Sequence, residues 1–520
     1  MTARLAWLAA LGAAVALSMG SRPARSQGTA GPTEDDDGSA AGSGGGSALI
    51  APPVPGAKKP WLVEQLTRVL QGRPALSRAR IAVAVTDLST GEELFAANAD
   101  QKLNLASNTK LLTSAAALQT LGNSFRWRTT VLADTPPDDA GTIAGDLYLR
   151  GKGDPMLTVA HLEDLATEVA ARGVRTIEGK LVLDTGYFDE VVEPPHFSAQ
   201  PTERAGFRAP VASLGVARSS FQIQVIAEPG GGASVRLDPD TGGYYALTKR
   251  EVTSVTEGRT RLRVETKLKQ GKVEVEVTGT IRVGEGSWEI RRRVDDPARF
   301  AGEIFRRALA DRGVTIRQRV LGSAAVPVTA KPIAVHDSPP LPDVLRFMNK
   351  SSDNYVAESV LKTLGAETRA TPGPASWADG LEAMASSLAQ LGLQRGSYRA
   401  ENGSGLFAAS EVTAHQLITL LAAAHKDYRI GPDLLASLPI GGVDGTLARR
   451  WHGHAAKGRV RAKTGTLDRV VTLAGYVAAD SGRPLAFTIL LNDVPPNQRA
   501  AARALMDELV DVLAAYLGAT

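Results

Sequence analysis

Three short polar motifs lie far apart in this chain. A fold that uses them in one site must bring them together and accommodate the long segments between them. Ser107-Asn108-Thr109-Lys110 comes first, Ser352-Asp353-Asn354 second and Lys463-Thr464-Gly465 third. The first two are separated by 245 residues (352 − 107) and the last two by 111 (463 − 352). Each motif alone arises readily by chance at ordinary residue frequencies. Their occurrence together and in this order is much harder to obtain by accident.

The first motif has the spacing of a serine nucleophile and its base. The order S-x-x-K, S-D-N, K-T-G is typical of serine enzymes that attack acyl-D-alanine or β-lactam substrates. A serine hydroxyl needs a nearby base, and residues three apart share one face of a helix. We therefore predict Ser107 as nucleophile and Lys110 as general base, at a helix start that favours developing negative charge. Taken alone, the motif also fits a serine cap beside a solvated lysine.

The second motif supplies a hydroxyl and an amide in one polar turn. We predict that Ser352 passes a proton to the leaving nitrogen and that Asn354 positions the substrate amide. A serine, an aspartate and an asparagine are also the usual residues of an ordinary turn or helix cap. The tripeptide gains its functional meaning from its place between the other two motifs.

The third motif comes directly before a pair of strongly apolar segments. Gly465 lets a substrate backbone approach closely, and Lys463, Thr464 and Thr466 offer donors for a substrate carboxylate. The backbone N–H groups of Ser107 and Thr466 are candidates for an oxyanion hole. A surface turn is the alternative interpretation of this segment.

The N-terminus has the pattern of an export signal followed by a tether. Residues 1–20 hold one early arginine and an uncharged apolar run, which predicts a secretory signal peptide. The run is short for a membrane span, so no stable transmembrane segment is expected after signal removal, although an uncleaved anchor is the alternative. Residues 21–60 are rich in Gly, Ser, Pro and acidic residues and predict a disordered linker. A periplasmic, wall-associated enzyme is the expectation.

The pattern of apolar and polar residues changes twice along the remaining chain. Residues 61–135 and 335–520 mix helical periodicity with apolar strands, including a hairpin near 81–97 and paired strands near 470–491. Residues 136–334 hold many short alternating runs, which predict strands with one polar face. We expect an α/β (α+β) catalytic domain in two parts, split by a large β-rich insertion. A helical segment is predicted over 341–364 around the second motif.

Composition narrows the function further. The net charge is +4, and basic residues are mixed with acidic ones along the chain, so no basic surface for nucleic acid is predicted. The chain has no cysteine, which excludes disulfides and a thiol nucleophile. No G-x-S-x-G elbow supports a Ser-His-Asp enzyme. His452 and His454 form an H-x-H pair, but the sequence has no H-E-x-x-H or cysteine cluster, so no metal or other cofactor is predicted.

The segments around the motifs resemble the S13 peptidases, the D-alanyl-D-alanine carboxypeptidase/endopeptidase family of class C low-molecular-mass penicillin-binding proteins. The resemblance covers about residues 61 to 520. It rests on the motif segments 106–111, 350–358 and 461–467, together with 151–155, 402–406 and 442–447. Two departures stand outside the motifs, with Lys152 where a glycine is common and Asn402 where an aspartate is usual.

The resemblance implies a penicillin-binding, transpeptidase-like and β-lactamase-like domain split by an insertion. It implies acylation of Ser107, Lys110 as base, and Lys463 as base or carboxylate anchor. The expected substrates are peptidoglycan stem peptides, which lose terminal D-alanine, and possible D,D-crosslinks; β-lactams would form slowly hydrolysed adducts. Asp154 on the insertion is a further candidate, facing the amino group of a diaminopimelate side chain.

Two other functions remain open at this point. A serine β-lactamase shares the motifs but hydrolyses its acyl-enzyme quickly, usually with a glutamate-held water. The large insertion and the lack of a clear glutamate of that kind argue against it. A non-catalytic cell-wall-binding scaffold is the second alternative, and the presence of every candidate catalytic side chain argues against that.

Overall fold

The structure is a computed structural model that describes residues 58–200, 202–241, 243–269, 272–407 and 409–518. The expected signal peptide and nearly all of the expected linker lie outside these residues. No helix within the described ranges is both long enough and apolar enough to cross a membrane.

The helices and strands of the described residues are as follows, in chain order. The helices are α1 (Lys58–Gln71), α2 (Thr109–Leu121), α3 (Val159–Ala171), α4 (Pro297–Asp311), α5 (Leu341–Ser351), α6 (Asn354–Thr368), α7 (Trp377–Gln390), α8 (Ala414–Lys426), α9 (Gly431–Ser437) and α10 (Arg499–Gly518). The strands are β1 (Arg80–Asp87), β2 (Glu93–Ala97), β3 (Leu103–Asn104), β4 (Arg128–Ala133), β5 (Thr142–Ile143), β6 (Leu147–Gly151), β7 (Thr176–Asp184), β8 (Ser220–Ala227), β9 (Ala233–Asp238), β10 (Tyr245–Val255), β11 (Arg261–Lys269), β12 (Lys272–Arg282), β13 (Ser287–Arg293), β14 (Thr315–Ser323), β15 (Lys331–Asp337), β16 (Arg399–Ala400), β17 (Ser410–Val412), β18 (Val460–Leu467), β19 (Val470–Ala478) and β20 (Pro484–Asn492).

One antiparallel sheet joins the two ends of the described chain. Its strand order is β18-β19-β20-β1-β2, and β1 pairs with β20 along its whole length, from Arg80 opposite Asn492 to Asp87 opposite Leu485. The hairpin near 81–97 and the strands near 470–491, which the sequence analysis placed in the two parts of one catalytic domain, therefore belong to one sheet. β19 and β20 are almost entirely buried, because helices cover both faces of this sheet.

Two hydrophobic clusters lie on opposite faces of this sheet. One face packs against α1 and α10, with Leu62, Leu66, Leu509 and Leu513 in the same cluster. The other packs against the helical layer that contains α2, α5, α6, α7 and α8. In α2 every residue from Thr109 to Leu118 is buried, because its small and aliphatic side chains let neighbours approach from all sides. The helix that carries the candidate base is therefore fixed on all sides.

The segment between the first two motifs forms a β-rich insertion, as predicted, and it also contains two helices that the sequence analysis did not predict. Its strands include a sheet with the order β14-β7-β6-β4-β15 and two three-stranded sheets, β10-β12-β11 and β13-β8-β9. α3 and α4 contact one another and cover one hydrophobic cluster. Each begins at a capping residue, Thr158 or Asp296. These caps were the sequence signal that the alternating strands obscured.

The helix predicted over 341–364 is two helices, and the break falls in the second motif. Ser352 ends α5 in the left-handed region, with φ 57°, and Asp353 then caps α6 by accepting a hydrogen bond from the Val356 backbone N–H at 3.0 Å. Apolar periodicity continues across the break, so it could not reveal the turn. The consequence is functional, since the turn sets the directions of Ser352 and Asn354.

Candidate active site

Ser107 and Lys110 meet at the beginning of α2. Ser107 lies in a single 3₁₀ turn, Ala106–Asn108, that leads directly into the helix. The preceding residue, Ala106, has φ 47°, a conformation that is rare and costly for a residue with a Cβ. The Lys110 Nζ lies 2.9 Å from the Ser107 Oγ. The S-x-x-K spacing thus becomes a direct contact between nucleophile and candidate base.

The Lys110 Nζ bonds to acceptors from three separate segments, and the side chain has no exposed surface. Besides Ser107, its Nζ donates to the Asn354 Oδ1 at 2.6 Å and to the Ser404 backbone carbonyl at 3.0 Å. The side chain is fully buried, and Ser107 is 3% exposed. Asn354 thereby joins the first and second motifs. The carboxamide Nδ2 of Asn354 points the other way, to the Phe207 carbonyl of the insertion at 3.4 Å.

A second buried lysine connects the second and third motifs. The Lys463 Nζ donates to the Ser352 Oγ at 2.8 Å and to the Thr464 carbonyl at 2.8 Å. Lys463 is fully buried, and Ser352 is 8% exposed. Each predicted catalytic serine is therefore paired with a predicted catalytic lysine. An ammonium among several oxygens in a dry site has a strong electrostatic effect on the groups around it.

β18 carries the third motif on an open edge of the main sheet. Among the described residues β19 is its only neighbouring strand, and residues 439–441 bond to the first residues of its other side, as in the Ile440–Arg461 bridge. The rest of that side can accept an extended peptide. A Cβ added at Gly465 would lie 3.0 Å from the Ser107 backbone N and 2.7 Å from the Leu105 carbonyl. Glycine is thus required for this edge to approach the nucleophile. Thr464 and Thr466 are 8% and 6% exposed, and the Thr464 hydroxyl donates to that of Thr446 at 2.9 Å.

Two groups beside Lys110 were not assigned roles by the sequence analysis. Ser404 contributes its backbone carbonyl to Lys110, and Glu358 accepts hydrogen bonds from the Gly403 and Ser404 backbone N–H groups. Glu358 stands four residues after Asn354, which places both on one face of α6. That spacing was the available signal. A backbone carbonyl leaves no such signal in a sequence.

The arrangement of the three motifs agrees with the comparison to known families. Residues 62–516 match the D-Ala-D-Ala carboxypeptidase 3 (S13) family. The chain belongs to this family. The S13 assignment covers both parts of the catalytic domain and the whole insertion, and with it comes D-alanyl-D-alanine carboxypeptidase activity.

Two curated relatives match most of this S13 chain. It is 35% identical over 483 residues to the D-alanyl-D-alanine carboxypeptidase of Actinomadura sp. (strain R39), covering 89% of this chain and 86% of the relative. It is 27% identical to the D-alanyl-D-alanine carboxypeptidase DacB of Haemophilus influenzae, covering 74% of this chain and 80% of the relative.

A solved structure has the same fold. Penicillin-binding protein 4 (dacB) of Haemophilus influenzae superposes with a TM-score of 0.71 at 24% identity, over 86% of this chain and 98% of that one. A complex of that protein with a β-lactam gives a TM-score of 0.68 over the same shares. The predicted fold class, a penicillin-binding domain split by a β-rich insertion, is confirmed.

Asp154 of this S13 chain is buried between a backbone N–H group and a histidine. Its side chain is 1% exposed, and one oxygen accepts from the Met156 backbone N–H at 2.8 Å. The other oxygen is 3.5 Å from the His336 Nε2, and the His336 ring stacks on His161 with centroids 4.0 Å apart. These contacts fix the Asp154 side chain within its own β-rich region. A role toward a substrate amino group stays a prediction.

Asn402, a departure from the usual S13 aspartate, has a structural use here. It is fully buried; its Oδ1 accepts from the Gly405 N–H, and its Nδ2 donates to the carbonyls of Leu406 and Pro195. A carboxylate has no N–H with which to make the last two bonds. The amide therefore connects the 402–406 loop beside Lys110 to the insertion. Lys152, the other departure, is exposed, with its Nζ 5.9 Å from the Tyr187 ring centre.

Proposed function

We propose that this S13 carboxypeptidase works through an acyl-enzyme on Ser107, with Lys110 as the general base. The observation that carries the proposal is the contact set of the Lys110 Nζ, which comprises the Ser107 hydroxyl and two carbonyl oxygens, from Asn354 and Ser404. Carbonyl oxygens only accept hydrogen bonds, whereas a hydroxyl also donates. A neutral Lys110 gives its two N–H bonds to the carbonyls and turns its lone pair to the hydroxyl of Ser107.

Acylation then follows from this geometry. Lys110 takes the proton of Ser107, and the Oγ attacks the carbonyl carbon of the penultimate D-alanine. The carbonyl oxygen becomes an oxyanion, which the backbone N–H groups of Ser107 and Thr466 stabilise; a single donor of this kind is worth about 3 kcal/mol in the transition state. The close approach of Gly465 to the Ser107 backbone N supports this assignment.

The leaving group departs through the second motif. The carbon–nitrogen bond breaks, and the amine of the terminal D-alanine takes a proton from the Ser352 hydroxyl, which is restored from Lys110. The bond from Lys463 to the Ser352 Oγ favours this transfer, because a nearby ammonium stabilises a transient alkoxide. Lys463, Thr464 and Thr466 hold the terminal carboxylate of the substrate. Water then hydrolyses the Ser107 ester and completes the cycle.

The proposed substrates are peptidoglycan stem peptides outside the cytoplasm. The export signal predicted over residues 1–20 and the open edge of β18 support this setting, since a stem peptide is an extended chain. We extend the proposal to D,D-crosslinks, because the bond that breaks is the same and only the substituent on the leaving amine differs. β-Lactams are the expected covalent inhibitors, since their acyl group is transferred to the same hydroxyl.

The test of the proposal combines a covalent probe with defined substrates. Wild-type protein incubated with a fluorescent penicillin should form a stoichiometric adduct on Ser107, and Ser107→Ala should form none. Lys110→Ala should acylate about 10²–10⁴-fold more slowly, which is the usual cost of losing a positioned base. Muropeptides of known crosslinking, followed by mass spectrometry, should lose terminal D-alanine and then crosslinks.

The two alternatives give different results in the same experiment. Rapid turnover of a chromogenic cephalosporin, without a lasting adduct, would identify a serine β-lactamase. Equal labelling of wild type and Ser107→Ala, or no labelling and no muropeptide product, would identify a non-catalytic wall-binding protein.

A further inference from the structure

Glu358 is a fully buried carboxylate close to the catalytic centre, and the proposed mechanism does not use it. It lies on α6, one turn beyond Asn354, and has no exposed surface. Burial of an ionised carboxylate is costly, so such a group is retained where hydrogen bonds or nearby charges compensate. The groups that compensate the buried Glu358 carboxylate therefore indicate its role.

The carboxylate holds two consecutive N–H groups of the loop beside Lys110. One oxygen accepts from the Gly403 N–H at 3.0 Å, and the other accepts from the Ser404 N–H at 2.8 Å. The same Ser404 residue presents its carbonyl to the Lys110 Nζ at 3.0 Å. The Gly403 carbonyl, in turn, accepts from the Thr113 hydroxyl of α2 at 2.7 Å. The loop is thus fixed between α6 and α2, with one carbonyl directed at the base.

We propose that Glu358 is a positioning residue for the reaction, which holds the Ser404 carbonyl against Lys110 and supplies the negative charge that controls when Lys110 gives up its proton. This inference rests on the proposed role of Lys110. Glu358 touches neither the substrate nor the reacting atoms, and it acts through Ser404 and through the electric field at Lys110.

The sign of the charge effect follows from the environment of Glu358. Burial is the largest influence and leaves the pKa of the Glu358 carboxyl raised, although hydrogen bonds from the Ser404 side chain and the two backbone N–H groups, and the charge of Lys110, oppose it and favour the ionised form. The attraction between the two charges is mutual, so an ionised Glu358 favours the ammonium form of Lys110. Removing that charge makes the free amine available at lower pH.

Other charged groups remain around the cluster when Glu358 is changed. Lys463 lies on β18, and Lys362 lies one turn further along α6. The Asp353–Arg218 ion pair lies at the α5–α6 turn. Each has partners of its own and is unaltered by a substitution at position 358. A difference between wild type and a Glu358 variant therefore reports on the carboxylate itself.

The test is the pH dependence of acylation in the full chain. The second-order rate of adduct formation with benzylpenicillin is measured from pH 4 to 9 for wild type, Glu358→Gln and Glu358→Asp. The low-pH side of the curve of acylation rate against pH is called the acidic limb. In Glu358→Gln this acidic limb should move to lower pH by about one pH unit, as expected when an opposite charge is removed nearby. Its maximal rate should fall about tenfold, because the amide replaces one of the two accepting oxygens with an NH₂ group that cannot accept an N–H bond.

Glu358→Asp separates charge from geometry and also serves if Glu358→Gln fails to fold. It keeps the charge but withdraws it by one methylene from the N–H groups, so the acidic limb should stay in place while the maximal rate falls. Glu303→Gln is the matched control, because Glu303 is also buried but pairs with Arg306 in the insertion. Its pH profile should equal that of wild type.

Several results would overturn the inference. They are an unmoved or upward-shifted acidic limb in a folded Glu358→Gln, or a Glu358→Asp with the full wild-type rate. Failure of the proposed function looks different, since wild type itself would then form no adduct on Ser107.

Discussion

Gly465 shows at the scale of one residue how backbone shape limits the chemistry. It lies on β18 where the strand passes the nucleophile, with φ outside the left-handed region, so its freedom from a side chain matters here for space alone. A Cβ would lie 2.2 Å from the Thr472 Oγ1 and 3.0 Å from the Ser107 N. The Thr472 hydroxyl already donates to the Leu105 carbonyl at 2.8 Å, so it has little room to move.

Gly465→Ala should therefore slow acylation much more than it destabilises the fold. We expect a decrease of about 10²-fold or more in the rate of penicillin adduct formation, because displacing one oxyanion donor costs about 3 kcal/mol in the transition state. Gly145→Ala is the control, since a Cβ there meets nothing within 4 Å. An unchanged acylation rate in Gly465→Ala would contradict the proposed approach of β18 to Ser107.

At the scale of elements, the α5–α6 turn is held by an unusual turn of the insertion. Ala217, Arg218 and Ser219 have φ of 53°, 55° and 46°, three consecutive left-handed residues without a glycine. Each costs about 1 kcal/mol or more relative to ordinary backbone. Arg218 reaches from this turn to the Asp353 carboxylate at 3.1 Å, and its guanidinium lies over the Phe347 ring. The strained turn thus fixes the cap of the helix that presents Asn354.

Arg218→Ala and Arg218→Gly should separate the side chain from the backbone. Both lose the contact to Asp353, and both should acylate about tenfold more slowly, which corresponds to about 1.4 kcal/mol. Arg218→Gly should be the more stable variant by about 1 kcal/mol, because glycine adopts positive φ without the Cβ penalty. Thermal unfolding and penicillin acylation are the two measurements.

The control for these variants is Arg317→Ala, which removes an exposed ion pair with Glu178 elsewhere in the insertion. Surface pairs of this kind contribute about 0–1 kcal/mol, so both properties should stay near wild type. Wild-type acylation in both Arg218 variants would show that Asp353 holds the turn without its partner.

In the whole molecule, Lys362 of α6 connects the catalytic helices to the insertion. This side chain is fully buried on α6, donates to Asp189 at 2.6 Å and to the Val191 carbonyl at 2.8 Å, and lies between the rings of Phe188 and Trp377. Burial lowers the pKa of Lys362, and the hydrogen bond and charge of Asp189 act in the opposite direction. A cation between two rings and a carboxylate is well compensated.

Lys362→Met should lower the stability of the folded protein by about 2 kcal/mol. Removing one partner of a fully buried pair costs about 3–5 kcal/mol, and we expect less because Asp189 is 27% exposed. The melting temperature is the readout. Lys249→Met, which breaks an exposed pair with Glu251, should change it little. If Lys362→Met were as stable as wild type, apolar contacts and not Lys362 would hold the insertion against the catalytic helices.

Sequence reasoning succeeded where the relevant geometry is local. The contact between Ser107 and Lys110 follows from a three-residue spacing at a helix start, and the strands near 81–97 and 470–491 follow from their apolar and alternating runs. It failed where periodicity hid a local event. The break at Ser352 and the helices α3 and α4 were missed, because apolar spacing or alternating strands dominated their surroundings.

The sequence alone determined the family, the fold class and the identity of the paired serines and lysines, because these depend on residue types in a fixed order. The tertiary structure decided that Lys463 faces Ser352 and that Asn354 meets Lys110. It also decided that a Ser404 carbonyl completes the environment of the base and that Glu358 holds it there. Contacts between residues 45 to 294 positions apart depend on how helices and strands pack, which no local pattern encodes.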